Sequence, residues 1–179
     1  MRTAPGERLE VLVRAQDIQS RVQLLGQHIT QDYENKELIL IGILKGSFVF
    51  IADLARAIDL PLAVDFMAVS SYGMSTKSSG VVRIIKDLDE SVEGKHVLVV
   101  EDIVDTGLTL NYIYSHLKSR GATSVKICTL LDKVSRRQIA VPVHYKGFEI
   151  PDAFVVGYGL DVEERYRNLA DVCQVVQSS

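Results

Sequence analysis

Apolar positions along this chain fall into two alternating rhythms. Ile18, Val22, Leu25 and Ile29 recur on one face of a 3.6-residue period and predict an amphipathic helix over about Gln16–Tyr33. Leu38–Leu44 is an unbroken apolar run with Gly42 inside it, which reads as a strand buried on both faces. The turn Lys45-Gly46-Ser47 leads into a second helix marked by Phe48, Ile51, Leu54 and Ile58. Leu62–Val69 predicts a strand. From Ser70 to Gly80, eight of eleven residues are Ser, Thr or Gly, so this stretch reads as a long exposed loop. Val81–Leu88 returns as a strand, His96–Val104 as another, and Thr109–Arg120 as a helix closed by Gly121. Further strands are predicted at Ser124–Leu131 and Ala153–Tyr158. Strands alternating with helices predict an α/β fold: a mostly parallel, twisted sheet with helices on both faces. Beyond Tyr158 the apolar spacing turns irregular and the chain acidic, in Asp161-Val162-Glu163-Glu164-Arg165.

With 179 residues, no internal repeat and no low-complexity linker, one domain over 1–179 is expected. The apolar fraction of 47% suits a soluble globular protein. No apolar run approaches the ~20 residues that cross a bilayer, and the N-terminus lacks a signal peptide's hydrophobic stretch, so no membrane partner is expected. Cys128 and Cys173 have no CxxC spacing; Cys128 reads as a buried small hydrophobe, and a reducing cytoplasm is the expected compartment. A formal charge of −3 disfavours a nucleic-acid coat but leaves room for a local basic pocket. The histidines at 28, 96, 116 and 144 show no metal-ligand pairing.

The chemistry concentrates in residues 97–109, Val-Leu-Val-Val-Glu-Asp-Ile-Val-Asp-Thr-Gly-Leu-Thr. Four apolar residues make a strand core, and then Glu101 and Asp102 stand where the apolar run should continue. Ionised carboxylates are rarely buried without a partner. A strand reaching the carboxyl edge of a sheet resolves the conflict, and open α/β sheets bind ligands there. Asp105-Thr106-Gly107-Leu108-Thr109 then opens a helix with small residues, hydroxyls and a glycine, so its backbone amides can converge on a phosphate. Acids able to face a metal or sugar hydroxyls, beside such a cradle, suggest a site for a phosphorylated sugar with magnesium.

The whole pattern resembles the phosphoribosyl-pyrophosphate signature of type I phosphoribosyltransferases. Its Glu-Asp pair and later Asp are similar to the 6-oxopurine branch. Asp65-Phe66-Met67-Ala68-Val69-Ser70-Ser71-Tyr72-Gly73 and Val82-Arg83-Ile84-Ile85-Lys86-Asp87-Leu88-Asp89 resemble the bacterial hypoxanthine-guanine members, and the resemblance runs over nearly the whole chain. It implies a fold core over about 36–158 with a small hood, made mainly of 159–179 and other short pieces, above the active site. It implies Mg2+ as cofactor, held by Glu101, Asp102 and Asp161. It implies 5-phosphoribosyl-1-pyrophosphate as donor, contacted by Lys45, Gly46, Glu101, Asp102, Asp105, Thr106, Gly107, Leu108, Thr109 and Arg167. In such enzymes the peptide before the lysine at 45 can be cis. Asp105 matches the catalytic aspartate, while Lys133, Phe154, Val155 and Asp161 match purine-site positions. Lys133 offers donors only, which suits a purine O6 and not a 6-amino group. The Ser70–Gly80 loop matches a lid with Ser71 and Tyr72 at its base. A homodimer or homotetramer is implied as well.

Two positions depart from the pattern. Leu108 stands where some relatives carry lysine, and Ser47 where some have a second glycine. The expected activity is transfer of phosphoribose to N9 of hypoxanthine or guanine, giving IMP or GMP and pyrophosphate. The alternatives are an RNA-binding transcription attenuator on the same fold, which needs a basic face, and a xanthine-preferring phosphoribosyltransferase.

Overall fold

The computed structural model describes residues 7–71 and 82–177, with only the backbone of residues 7, 71 and 177. The elements follow the order β1 (Glu7–Val13), α1 (Ala15–Asp32), β2 (Leu38–Leu44), α2 (Phe48–Ala57), β3 (Leu62–Ser71), β4 (Val82–Lys86), β5 (His96–Val104), α3 (Leu108–Ser119), β6 (Ser124–Asp132), β7 (Tyr145–Glu149), β8 (Val155–Val156) and β9 (Val172–Gln177). A short 3₁₀ turn spans Val134–Arg136. Six strands form one sheet in the order β4-β3-β2-β5-β6-β7. All its pairings are parallel except β3 with β4.

The alternation of β2 shows why this sheet is covered on both faces. Leu38 and Leu40 join one apolar cluster with Ile18, Leu25 and Leu54 of α1 and α2. Their neighbours Ile39, Ile41 and Ile43 join the opposite cluster with Ile113 and Leu117 of α3. A strand with side chains in two cores must be apolar at every position, which is what its sequence shows.

After β2 the chain runs outward through β3 and β4, then returns to lay β5 on the other side of β2. The order therefore reverses between β2 and β5, and the crevice at their carboxyl ends is the switch point where such sheets bind ligands. The turn after β2 carries Lys45 and Gly46; the end of β5 carries Glu101 and Asp102.

A second, three-stranded sheet, β1-β9-β8, is antiparallel throughout. Arg8 pairs with Val176 and Val156 with Cys173, so both chain ends build it. This corrects the strand expected at Ala153–Tyr158. Only Val155–Val156 is extended, and it belongs to the small sheet. Gly157, Tyr158 and Gly159 all have positive φ, which bends the chain away at once. Ser70 and Ser71, expected in the loop, continue β3 and pair with Arg83 and Val82. Tyr72 and the rest of the expected lid, to Gly80, lie outside the described residues, as does Val81 of the strand expected after it. Gly121 does follow α3, with φ 80, one residue past the C-cap Arg120.

Candidate active site

Gly46 and Asp102 meet across the switch point. A Cβ built on Gly46 would lie 1.6 Å from Oδ2 of Asp102, so the carboxylate occupies the space that only glycine leaves. The Leu44–Lys45 peptide before it is cis. Ser47 donates its hydroxyl to the Ile43 carbonyl at 2.6 Å, and so serves the turn where a glycine was the alternative.

Asp102 is buried and accepts the Ile103 amide at 2.8 Å. Beside it, Oε2 of Glu101 is enclosed and has no hydrogen-bond partner. Burial drives the Glu101 carboxyl well above the usual carboxylate range, and neighbouring Asp102 adds to the shift. Burial also raises Asp102, against the pull of Glu101, the backbone amides and Arg167. Two adjacent carboxyls without an equal countercharge form a site short of positive charge.

That fits a divalent cation. Among the described residues, no group of three or more His, Cys, Asp or Glu side chains could hold a metal ion alone. Magnesium does not need one: it keeps several waters and binds one or two carboxylates together with substrate phosphates. The orphaned Glu101 oxygen and the Asp102 carboxylate offer the protein's share.

The basic wall opposite comes from the C-terminal segment. Arg167 reaches Asp161 Oδ1 at 2.7 Å and Glu164 Oε2 at 3.2 Å through Nη2, and donates Nη1 to the Gly159 carbonyl at 2.8 Å. Lys45 Nζ lies 3.0 Å from Glu164 Oε1. Glu164 thus spans both cations, and Lys45 first, then Arg167, holds its carboxyl below the usual range. Lys45, Gly46, Asp102, Asp161, Glu164 and Arg167 line one cavity of about 550 Å³.

The turn that opens α3 sits alongside. Gly107, with φ 85, precedes α3, and a Cβ there would lie 2.7 Å from the Ile139 carbonyl oxygen. The N-cap Gly107 has no side chain to bond the helix start, and the Leu108 amide donates to Thr106 Oγ1 at a long 3.4 Å, so this end can turn amides toward an anion. Glu101, Asp105, Thr106, Gly107 and Thr109 line a cavity of about 140 Å³. Leu108 opens the helix but contributes no polar side chain to it.

Lys133 follows β6 and is buried; its amide donates to the Val104 carbonyl at 2.9 Å. Its Nζ lies 3.7 Å from Asp152 Oδ1. Arg136 reaches Asp152 Oδ2 at 3.6 Å through Nη1 and Asp105 Oδ1 at 3.1 Å through Nε. Phe154 is 56% exposed, whereas Val155 is buried in β8. Apart from the lid residues, Phe154 and Val155, the expected site residues therefore form three groups: the carboxylate cavity, the turn that opens α3 and the Lys133 segment, with Asp105 common to the last two.

Arg136, Asp152 and Glu164 were not singled out from sequence. Arg136 stands in the polar run Ser135–Gln138 and Asp152 alone between Pro151 and Ala153, and the acidic Asp161–Arg165 stretch is the one hint of the third. A larger cavity, about 670 Å³, opens between α1, α2 and the segment 158–170. It shares only Arg167 with these groups and holds none of the paired carboxylates.

Comparison with known proteins adds an independent line. The Phosphoribosyl transferase domain family matches residues 12–163. Hypoxanthine phosphoribosyltransferase of Haemophilus influenzae is 50% identical over 171 residues, covering 94% of this chain and 96% of that protein. Hypoxanthine-guanine phosphoribosyltransferase of Bacillus subtilis is 54% identical over 160 residues, covering 89% of each. A crystal structure of a hypoxanthine phosphoribosyltransferase from Staphylococcus aureus superposes with a TM-score of 0.91 at 50% identity, covering 93% of this chain and 91% of that one.

Proposed function

The chain belongs to the phosphoribosyl transferase family, and from that premise we infer that it is a purine-salvage enzyme. It moves phosphoribose from 5-phosphoribosyl-1-pyrophosphate to N9 of hypoxanthine or guanine, giving IMP or GMP and pyrophosphate. The observation that carries this reading is the meeting of Gly46, Asp102 and Arg167 on one cavity next to the turn that opens α3. Relatives at about half identity are named for hypoxanthine and guanine, so neither the RNA-binding regulator nor the xanthine-preferring enzyme is favoured.

In this reading the amides and hydroxyls of Thr106–Thr109 hold the donor's 5′-phosphate. Glu101 and Asp102 take the ribose hydroxyls. Lys45, the Gly46 backbone and Arg167 take the pyrophosphate; the Glu164 carboxylate, bridging the two cations in the free enzyme, marks where an anion is welcome. Glu101 and Asp102 would hold Mg2+, with a second ion at Asp161, and the metal would supply positive charge for the leaving pyrophosphate. Lys133 donates to the purine O6, Phe154 stacks on the ring, and the Val155 backbone meets its edge.

The reaction then balances without another reagent. The purine N9 lone pair forms the bond to C1′ as the C1′–oxygen bond to pyrophosphate breaks. The proton leaving N7 passes to Asp105. A carboxylate in that place supplies general-base catalysis. A cytoplasmic location and a homodimeric or homotetrameric assembly belong to the same proposal. Among the described residues, no helix is long and apolar enough to cross a membrane.

The test is a product assay. With donor, Mg2+ and hypoxanthine, IMP and pyrophosphate should appear in equal amounts, and excess EDTA should abolish both. Full activity in EDTA would overturn the metal's part, and absence of nucleotide would overturn the reading.

A further inference from the structure

We propose that Arg136 is a positioning residue for the transfer, setting Asp105 against the purine and tying it to the lysine that reads O6. The proposal rests on the roles given above to Asp105 and Lys133. Four charged side chains form one chain: Lys133 Nζ lies 3.7 Å from Asp152, Asp152 3.6 Å from Arg136, and Arg136 Nε 3.1 Å from Asp105. The group that handles N7 and the group that handles O6 are thus the two ends of a single network, and Arg136 is its pivot.

Stability does not explain this arrangement. The side chains of Arg136, Asp105 and Asp152 are 48%, 41% and 54% exposed, and ion pairs at such exposure contribute little to folding. Nor is Arg136 a surface residue that met Asp105 by chance. The segment that carries it is bonded on both sides to the turn that carries Asp105: the amides of Gln138 and Ile139 both donate to the Thr106 carbonyl, at 3.0 and 3.2 Å, the Lys133 amide donates to Val104 at 2.9 Å, and the Arg136 amide donates to the Lys133 carbonyl at 3.0 Å. Arg137, the next residue, pairs with buried Asp132 and anchors the same segment. The two backbones are fixed to each other, so the guanidinium has a defined place from which to hold the carboxylate.

The contact also leaves Asp105 able to work. Arg136 engages Oδ1, and Oδ2 makes no hydrogen bond among the described residues. One oxygen is held and the other is left for the purine. Arginine is suited to this because its planar guanidinium presents separate N–H donors in fixed directions, Nε to one carboxylate and Nη1 to the other. A lysine can satisfy one partner well but not both. When a purine covers the site and water leaves, the same pairs act at lower dielectric and hold their geometry more firmly.

The experiment is a kinetic cycle on Arg136 and Asp105. Arg136→Gln should lower kcat about 10- to 100-fold, the size of effect that misplacing a reacting group produces. KM for the donor and the melting temperature should stay at wild-type values. Arg136→Lys should recover part of the lost kcat. In the Asp105→Asn background, Arg136→Gln should cause no further loss, because the carboxylate it positions is already disabled. Wild-type kcat in Arg136→Gln, or losses that multiply in the double variant, would overturn the role of Arg136 while leaving that of Asp105 in place. Wild-type turnover in Asp105→Asn would overturn the reading of Asp105, and the positioning role with it.

Discussion

Asp65 and Asp105 are the same side chain in opposite surroundings. Asp65 is buried on β3, accepts the amides of Phe66 at 2.6 Å and Asp89 at 2.9 Å, and lies 3.4 Å from Lys86 Nζ. Burial pushes its carboxyl up, but these amides and Lys86 together hold it below the usual range. The folded chain therefore favours the charged form more than the unfolded chain does. The resulting stability is present above the ordinary aspartate pKa of about 4 and is lost as pH falls through the lower folded value. Asp65→Asn should cost about 1–3 kcal/mol at neutral pH, the usual penalty for disturbing a buried hydrogen-bonded charge. It should also remove part of the acid loss of stability, which denaturant unfolding across pH 2–7 (roughly the range that spans carboxylate titration) would measure. A pH dependence identical to wild type would contradict the assignment. Asp105, by contrast, is half-exposed and has one ion pair, so it is available for chemistry. Asp105→Asn should lower kcat by roughly 10²–10⁴-fold, as expected for a general base, with the donor KM and the melting temperature little changed. Steady-state kinetics at saturating donor would check it.

At the scale of elements, the turn that opens α3 depends on one backbone conformation. Gly107→Ala would place a Cβ at φ 85 and 2.7 Å from the Ile139 carbonyl oxygen. The left-handed conformation alone costs about 1–2 kcal/mol for a residue with a Cβ. The variant should lose at least that much stability and raise the KM for the donor, which unfolding and donor titrations would show; an unchanged donor KM would argue against phosphate binding here. This turn was legible in sequence because its parts are contiguous: strand, acids, glycine and helix follow one another within residues 97–109. The helices α1 and α3 and the strands β2 and β5 were legible for a related reason, since each repeats its apolar period or run over several residues. The small sheet was not. Glu7–Val13 and Val172–Gln177 mix charged or polar residues with apolar ones at the chain's two ends, and each finds its partner only across the whole sequence. β7 is five residues with a glycine inside, and β8 only two residues. The site shows the same division. Lys45 and Glu164 meet across 119 positions, and no local pattern in either segment announces the other.

On the scale of the whole molecule, a chain with a formal charge of −3 gathers Lys45, Lys133, Arg136 and Arg167 around the carboxyl edge of its large sheet. The mean charge says nothing of this, because the fold draws those cations from segments far apart and sets them among acids. The large sheet supplies the carboxylates and the turn that opens α3. The C-terminal stretch supplies Arg167, and β8, paired to the chain's last strand, carries Val155 next to exposed Phe154. The central claim is that this composite site reads a 6-oxopurine against a phosphoribose donor. Its most direct measurement is kcat/KM for hypoxanthine, guanine, xanthine and adenine at saturating donor, in the wild type and in Lys133→Gln. The wild type should favour hypoxanthine and guanine over adenine strongly, up to about 10⁴-fold, because a buried ammonium facing a 6-amino group leaves two donors unpaired. Lys133→Gln should raise KM for the 6-oxopurines and shrink that advantage, with the donor KM unchanged. Equal use of adenine by the wild type, or full 6-oxopurine preference surviving in Lys133→Gln, would contradict the account.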